Sequence, residues 1–159
     1  MPGYRPNDPS PASAHALVRA AERLAQQAGT ILTPIRRHVY EILLDAEEPL
    51  GAYDVVGLLD GVGSARPTTA YRALDWLEDL GLIRKIRSLS KYVALKSGAC
   101  DEPLAFMVCQ ECGSTEQIAL GPESQGLFAA FEARGFQTLD PTIEISGRCM
   151  EHQRPADES

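Results

Sequence analysis

The chain has 159 residues, of which 44% are hydrophobic and 23% are charged, and its formal net charge at pH 7 is -7. This is an ordinary globular composition, and the length allows one domain or two small ones. The sequence has no apolar run long enough to span a membrane and no apolar signal segment at its N-terminus, so we expect a cytoplasmic protein. In that compartment its four Cys are expected to be metal ligands or free thiols rather than disulfides.

The charge is unevenly distributed along the chain. Residues 1–98 hold 12 Lys and Arg against 11 Asp and Glu, a net of +1, whereas residues 99–159 hold 3 against 11, a net of -8. This asymmetry predicts two modules with different partners, of which only the first tolerates a polyanion. The alternative is an acidic solvated face without functional meaning.

The N-terminal part of the chain alternates helical patterns with turn residues. Apolar residues at helical spacing, with Gly or Pro at the ends, predict four helices. Two short β-compatible runs around a Ser-Leu-Ser turn predict a basic hairpin after the fourth helix. Four helices and such a hairpin are typical of a winged helix-turn-helix. The predicted elements are helices over 14–29, from Thr33-Pro34 to before Pro49, over 52–59 and from Pro67 to Gly81, and strands over 82–87 and 91–95.

The C-terminal part predicts a small α/β module. Its elements are strands over 104–108, 114–120 and 142–146, and a helix over 123–134 that turns Leu127, Phe128 and Phe131 inward. The fold class is therefore expected to be α+β. The predicted domain organisation is a disordered tail at 1–13, a winged helix at 14–96, a hinge at 97–103, the α/β domain at 104–153 and a second disordered tail at 154–159.

Two short motifs have the spacing of metal ligands. Cys109-x-x-Cys112 and Cys149-x-x-His152 are 36 residues apart, and Gly113 favours a tight turn after the first pair. Two such turns supply the four ligands of a closed, tetrahedral structural zinc site, so we expect one zinc per chain. Two alternatives stay open: a redox dithiol, although no thioredoxin-like pattern surrounds it, and Glu151 in place of His152 as the fourth ligand.

The start of the fourth helix has the polar and basic side chains of a helix that enters the major groove. Neighbouring basic residues on the second helix and the hairpin suit contacts with the DNA backbone. A solvated basic face is the alternative, because a net charge of +1 is low for a DNA-binding module. The predicted DNA-contacting residues are Arg36, Arg37, Tyr53, Arg66, Thr68, Thr69, Tyr71, Arg72, Lys85 and Lys91.

Several of these motifs together resemble the ferric uptake regulator family, over about residues 15–152. The motifs are Thr33-Pro34-x-Arg36, Ala52-Tyr53-Asp54, the run from Pro67 to Leu74, Gly81-Leu82-Ile83 and Cys109-x-x-Cys112-Gly113. The runs AYDVVGLLDG, YRALDWLEDLGLIRKI and FMVCQECG are most similar to the zinc uptake regulator branch. The resemblance implies a homodimeric, metal-responsive transcriptional repressor that binds operator DNA through its winged helix. It implies also that the C-terminal domain dimerises and holds a four-ligand zinc, while a second site near the hinge senses metal.

The sequence departs from the family at both metal sites. His152 stands where a second CxxC is common, which preserves tetrahedral zinc chemistry. The predicted sensor site departs further from the family pattern than the structural site does. His is absent from residues 39 to 151, and Arg84 stands where the related branch often has a His ligand. The remaining donors for a regulatory zinc or other divalent ion are Cys100, Asp101, Glu102 and Glu116. The alternative is a degenerate sensor, in which Cys100 is a free thiol and the carboxylates are solvated.

These observations favour a zinc-responsive repressor of metal-uptake genes, with no enzymatic activity, no small-molecule substrate and no membrane association. A paralogue that senses another metal or a redox state through Cys100 is the alternative within the same class. A CxxC thiol oxidoreductase and a protein-binding winged-helix adaptor are the alternatives from other classes.

Overall fold

A computed structural model of the chain describes residues 11–59, 67–95, 103–139 and 141–153. The chain divides into two compact units, Met1–Cys100 and Asp101–Ser159. The division falls within the predicted hinge, although residues 97–102 lie outside the described part of the chain. The tails predicted at 1–13 and 154–159 also lie largely outside it, but residues 11–13 belong to the first helix, where Pro11 occupies a position that Pro favours.

The first unit contains four helices and a three-stranded sheet. The strand order is β1-β3-β2, with both neighbouring pairs antiparallel, so β2 and β3 form the predicted hairpin and β1 adds a third strand. The sequence analysis missed β1 because two residues are too short to show a β pattern. The elements are α1 (Pro11–Gln27), α2 (Pro34–Asp45), β1 (Leu50–Gly51), α3 (Ala52–Leu59), α4 (Pro67–Asp79), β2 (Ile83–Ile86) and β3 (Lys91–Ala94).

A continuous apolar core joins these helices to the sheet. Tyr40 and Leu43 from α2 pack in the same cluster as Leu74 and Leu77 from α4, and all four are buried. Gly81 ends α4 with a φ of 72°, a left-handed conformation that glycine adopts without the steric cost of a Cβ. The chain therefore turns at Gly81 and enters the β2–β3 hairpin directly after the fourth helix.

The second unit is a three-stranded mixed sheet with one helix. Strand β4 is central, antiparallel to β5 and parallel to β6, and it is almost entirely buried. The elements are β4 (Leu104–Cys109), β5 (Thr115–Ala119), α5 (Gln125–Glu132) and β6 (Thr142–Gly147), with short 3-10 turns at Pro122–Ser124 and Met150–His152. Together the two units confirm the predicted α+β class, a winged helix-turn-helix followed by a small α/β domain.

One expectation about this unit is wrong for the single chain. Leu127 and Phe131 of α5 are 44% and 38% exposed, Phe128 is half-buried, and α5 has no buried residue. The physical reason is that α5 has eight residues and packs mainly against the short 3-10 turn before it, so little of the described chain covers its apolar side chains.

One face of the sheet is also apolar and partly exposed. Met107 is paired with Ile145 of β6, and Ala105, two residues earlier on β4, is paired with Ile118 and Ile143, so all of these side chains point to the same side. Met107, Ile118 and Ile145 are exposed. Glu116 of β5 is paired with Met107, so its side chain lies on the same side, toward the β5 edge of the sheet. We call the four apolar residues of this side, Met107, Ile118, Ile143 and Ile145, the apolar sheet face.

Candidate metal centre and nucleic-acid interface

The pairing of the strands in the second unit brings the two ligand motifs together. Strands β4 and β6 are parallel and in register from Leu104–Thr142 to Cys109–Gly147, so their C-terminal ends lie side by side. The amide of Gln110 donates to the carbonyl of Gly147 (2.9 Å) and extends this pairing by one step. Cys109, at the end of β4, therefore lies next to the segment that carries Cys149.

Each motif is folded into a tight turn. The amide of Gly113 donates to the carbonyl of Cys109 (2.9 Å), and Gly113 has a φ of 75°, which lets the β4–β5 turn close. The amide of His152 donates to the carbonyl of Cys149 (2.9 Å) within the 3-10 turn. In both turns the second ligand is thus returned toward the first.

The structure brings all four predicted zinc ligands into one cluster. The ligand atoms of Cys109, Cys112, Cys149 and His152 all lie within 4.8 Å of one another. The Sγ atoms of Cys112 and Cys149 are 3.9 Å apart, and the Cys149 Sγ is 3.0 Å from His152 Nδ1. Zinc–sulfur bonds of about 2.3 Å at tetrahedral angles place two sulfurs about 3.8 Å apart, so this donor set fits a tetrahedral zinc ion.

Backbone amides around the cluster favour a thiolate at one position. The pKa of Cys109 is lowered to about 6, chiefly by hydrogen bonds from the backbone of Cys112 and Cys149. The Cys149 amide approaches the Cys109 Sγ to 3.4 Å. Desolvation by burial instead raises the pKa of Cys149, and its contacts with the Cys109 and Cys112 side chains raise it further. Such a cluster is stable with all its thiols ionised only when a cation balances them.

A salt bridge on the surface joins the two turns. Arg148 Nε donates to Glu111 Oε1 (3.1 Å), and both side chains are roughly half exposed. The Ser114 hydroxyl lies 3.2 Å from the Cys112 Sγ. Sequence reasoning missed these two contacts, although the position of Ser114 just after the first motif is a usable signal.

The predicted sensor residues are mostly outside the described part of the chain. Cys100, Asp101 and Glu102 lie there, so their arrangement is not described. Glu116 is half-buried on β5, where it is paired with Met107 of β4. Arg84 is half-buried on β2.

The start of α4 presents polar side chains to solvent. Thr68 and Arg72 are exposed and Thr69 is half-buried, whereas Ala70 and Ala73 turn inward to the core. Arg66 lies outside the described residues. The first turns of α4 thus have one buried apolar side and one exposed polar side, as the helical spacing predicts.

An aromatic pair lies beside this polar surface. Tyr53 of α3 is 80% exposed, and its ring meets that of Tyr71 edge to face with centroids 6.4 Å apart. On the hairpin, Lys85 Nζ lies 5.4 Å from the centroid of the buried Tyr92 ring, and Lys91 is half-buried. Exposed Tyr hydroxyls and Lys ammonium groups are both suited to donate hydrogen bonds to phosphate oxygens.

The two Arg residues near the start of α2 already have partners within the chain. Arg37 forms salt bridges with Glu22 of α1 (2.9 Å) and Glu41 (3.0 Å). Arg36 donates to the carbonyl of Ile31 (2.8 Å) and lies over the ring of Trp76, 4.2 Å from its centroid. No sequence signal identified the Arg36–Trp76 contact, because 40 residues separate them along the chain.

A cap at the start of α3 was also missed. The Asp54 carboxylate accepts a hydrogen bond from the amide of Gly51 (2.8 Å). An acidic residue at the third position of a helix is the signal that identifies such a cap.

Comparisons with known proteins agree on one family. The model of the ferric uptake regulator family matches residues 27–146. The zinc uptake regulation protein of Escherichia coli is 32% identical to the chain over 139 residues, which make up 84% of this chain and 79% of that protein.

Two solved structures are similar over most of the chain. The crystal structure of holo XcZur is 32% identical, with a TM-score of 0.72, and the match covers 86% of this chain and 96% of that one. A zinc uptake regulator complexed with zinc and DNA is 27% identical, with a TM-score of 0.75, and the match covers 87% and 93%. None of the helices in the described ranges has the length and apolar character that a membrane crossing requires.

Proposed function

The chain belongs to the ferric uptake regulator family, and on that premise we propose that it is a zinc-responsive transcriptional repressor that binds double-stranded operator DNA and controls metal-uptake genes in the cytoplasm. The observation that carries the proposal is its similarity to a zinc uptake regulator in complex with zinc and DNA, with a TM-score of 0.75 over 87% of the chain.

The winged helix is the part of the chain that binds DNA in this proposal. Helix α4 enters the major groove, where Arg72 forks onto guanine or phosphate and Thr68 and Thr69 donate to phosphates or base edges. The exposed position of Arg72 and Thr68 supports this role. The proposed contact surface also includes Lys85 and Lys91 on the hairpin, Tyr53 and Tyr71 beside α4, and Arg66, which lies outside the described residues. Arg37 joins this surface when its salt bridges with Glu22 and Glu41 are exchanged for a contact with phosphate.

The Cys3His cluster is the proposed structural zinc site, one per chain. The ion would supply the positive charge that three thiolates need, and Cys109, Cys112, Cys149 and His152 would hold it. A dithiol oxidoreductase needs a free CxxC pair, whereas here both sulfurs of that pair belong to a four-donor cluster. The geometry therefore favours a metal ligand role over redox catalysis.

The active form is proposed to be a homodimer. A net charge of +1 over residues 1–98 is low for a DNA-binding module, and two copies double the phosphate contacts on a palindromic site. The apolar sheet face and the exposed side chains of α5 supply a surface for a second copy.

Regulation is proposed to use a second ion near the hinge. Cys100, Asp101, Glu102 and Glu116 are the candidate ligands, for zinc or another divalent metal. The alternative is a response to another metal or to oxidation of Cys100, because that residue is the one thiol among the four candidate ligands. The metal titration described next distinguishes these possibilities.

DNA affinity titrated against free metal tests the proposal. Zinc-loaded protein is first used to select a duplex from a random-sequence pool, and its affinity for that duplex is then measured at defined free zinc, manganese and ferrous iron. We expect binding that rises with free zinc and falls steeply with KCl. Binding that follows manganese or ferrous iron instead would move the protein to another branch, and no selected duplex at any metal level would overturn the proposal. Cys100→Ser should flatten the zinc titration, whereas Asp45→Asn, which changes an exposed carboxylate at the end of α2 outside the candidate ligand set, is the control.

A further inference from the structure

The guanidinium group of Arg36 is held by two contacts inside the first unit. Its Nη1 donates to the carbonyl of Ile31 at 2.8 Å, and its Cζ lies 4.2 Å from the centroid of the Trp76 ring. An Arg stacked on the face of Trp forms the strongest type of cation–π contact, and the contact strengthens when it is partly shielded from water. Arg36 is half-buried here.

Trp76 has a second fixed contact on the same side of the unit. Its Nε1 donates to the Thr30 hydroxyl at 3.3 Å, and its ring packs against the apolar core. Thr30 and Ile31 both belong to the segment between α1 and α2. The Trp76 ring is thus held between this segment and Arg36 at the start of α2.

Trp76 is also one helical turn after Arg72. Residues four apart on a helix lie on the same side. The contacts of Trp76 therefore fix the rotation of α4 about its axis and its position along that axis, and with them the place where Arg72 projects into solvent. A shift of about 1 Å in such a supporting contact is enough to misplace a group that must meet a base edge.

We propose that Arg36 is a positioning residue for the recognition helix, acting through Trp76, and that its charge does not serve as a phosphate contact. The inference rests on the proposed DNA-binding function. It differs from the DNA-contact role that the sequence pattern alone predicts for Arg36.

The first experiment replaces Arg36 by Met, which keeps a long unbranched side chain and removes the guanidinium. The probes are the duplex selected by zinc-loaded wild-type protein and a scrambled duplex of equal length. We expect Arg36→Met to weaken the selected complex about tenfold, as expected for loss of a partly shielded cation–π contact, and to change the scrambled complex by less than about twofold. Arg36→Lys keeps a cation above the ring and should recover part of the affinity. A simple loss of folded protein would lower the active fraction for both duplexes equally.

The dependence of binding on KCl separates positioning from phosphate contact. If Arg36 positions α4, the slope of log affinity against log salt stays unchanged in Arg36→Met. If Arg36 neutralises a phosphate, the slope falls by about 0.9 per protomer, about 1.8 for a dimer, and both duplexes weaken alike. That second result would overturn the inference.

Arg134→Met is the matched control, because it removes a guanidinium that donates to a backbone carbonyl (Ala130, 2.7 Å) in the other unit. It should leave both affinities and the slope unchanged. A loss of affinity in this control equal to that in Arg36→Met would also overturn the inference, since the effect would then follow net charge alone.

The contact itself can be measured without DNA. Trp76 is the single Trp of the chain, so its fluorescence emission reports on its surroundings. Arg36→Met should alter the emission of zinc-loaded protein, while Arg134→Met should not. Unchanged emission in Arg36→Met would contradict the contact whatever the protein binds.

A double-mutant cycle tests whether the two residues act together. Trp76→Leu should weaken the selected complex as Arg36→Met does, and the double variant should lose no more than the larger single loss. Additive losses would overturn the inference. If Trp76→Leu does not fold, Trp76→Met, which also removes the aromatic ring, replaces it in the cycle. Wild-type protein that selects no duplex overturns the proposed function and this inference together, whereas wild-type binding with full affinity in Arg36→Met overturns this inference alone.

Discussion

The hydroxyl group of Tyr40 is buried in the core of the first unit, and among the described residues it has no hydrogen-bond partner. Burying a hydroxyl without a partner costs free energy, since the group gives up its hydrogen bonds to water. The same burial raises the pKa of Tyr40 to about 12, because the ionised phenolate is disfavoured there. Tyr40 therefore fits its site as an aromatic ring and not as a polar group.

Replacing Tyr40 by Phe should stabilise the first unit. We expect the free energy of unfolding to rise by about 1 kcal/mol at pH 8, measured by urea denaturation with Trp76 fluorescence. Tyr40 ionises at about pH 10 in the unfolded chain and at about 12 in the folded chain, so wild-type stability from this group is complete below pH 10 and is lost as pH rises through 12. The advantage of the Phe variant should therefore grow at pH 10.5. Tyr53→Phe, at an exposed position, should leave the free energy of unfolding at pH 8 unchanged. A Tyr40→Phe protein less stable than wild type would contradict the prediction.

At the scale of elements, α3 is fixed at its first turn. Gly51 is paired with Lys91 in the sheet, and its amide donates to the Asp54 carboxylate. A Cβ at position 51 would lie 3.0 Å from Asp54 Oδ2, so a larger residue there would push on the cap. The helix that presents Tyr53 is thus tied to the hairpin through two residues.

Removing the Asp54 cap should lower stability, whereas removing a carboxylate from the C-terminal end of a helix should not. Asp54→Ala should lower the free energy of unfolding by about 1 kcal/mol, because the Gly51 amide loses its acceptor and the negative charge leaves the helix N-terminus. Asp45 is the last residue of α2, where a negative charge opposes the helix dipole, so Asp45→Ala should be neutral or stabilising by a few tenths of a kcal/mol. Urea denaturation of the two variants measures both effects. Equal changes in the two would show that the effect comes from net charge and not from the cap.

The elements differ in how well the sequence predicts them. The helices and long strands have strong periodicity and end at Gly or Pro, so patterns such as that around Gly81 predict their positions within a few residues. Strand β1 has two residues and depends on pairing with β3, which no local pattern contains. The Arg36–Trp76 contact and the exposure of Phe131 depend on residues distant in sequence, so they emerge only from the folded chain.

For the metal cluster, the sequence predicts a contact between distant residues as well as the local turns. The spacing of Cys109 and Cys112 predicts a turn from their own neighbourhood. Their proximity to Cys149 was predicted from the chemistry of zinc, which needs four donors, and the parallel pairing of β4 and β6 is what brings them together. The ligands of the sensor cannot be predicted from sequence in the same way, because carboxylates such as Glu102 and Glu116 are common on protein surfaces without a metal.

At the scale of the whole molecule, the two units should depend differently on zinc. The first unit has a core of its own, whereas β6 in the second is mostly exposed along its length and is held by pairing with β4 and by the Cys3His cluster. Zinc binding to such sites contributes roughly 10–16 kcal/mol, which is comparable to the whole stability of a domain. We expect chelation to remove hydrogen-exchange protection from the amides of β6 while those of α4 keep it. Equal loss of protection in α4 would show that the units unfold together.

The apolar sheet face leads to the last prediction. Ile145 is 54% exposed in the single chain and is paired with Met107, which is also exposed. If a second copy covers this face, Ile145→Glu adds two carboxylates to one symmetric interface, because each substitution occurs twice, and Glu116 already lies on the same side of the sheet, toward its β5 edge. Burial of those charges should raise the dimer dissociation constant at least about a hundredfold, measured by sedimentation velocity on zinc-loaded protein.

A matched variant separates an interface from general surface hydrophobicity. Ile31 of the first unit is 72% exposed, so Ile31→Glu makes the same chemical change at a position outside the apolar sheet face and should leave the dimer intact. Affinity for the selected duplex should fall with dimerisation in Ile145→Glu, because one winged helix alone brings a net charge of about +1 to the DNA. An Ile145→Glu protein that remains dimeric at low micromolar concentration would assign the interface to another surface, and the exposed side chains of α5 would then be the next to test by the same substitution.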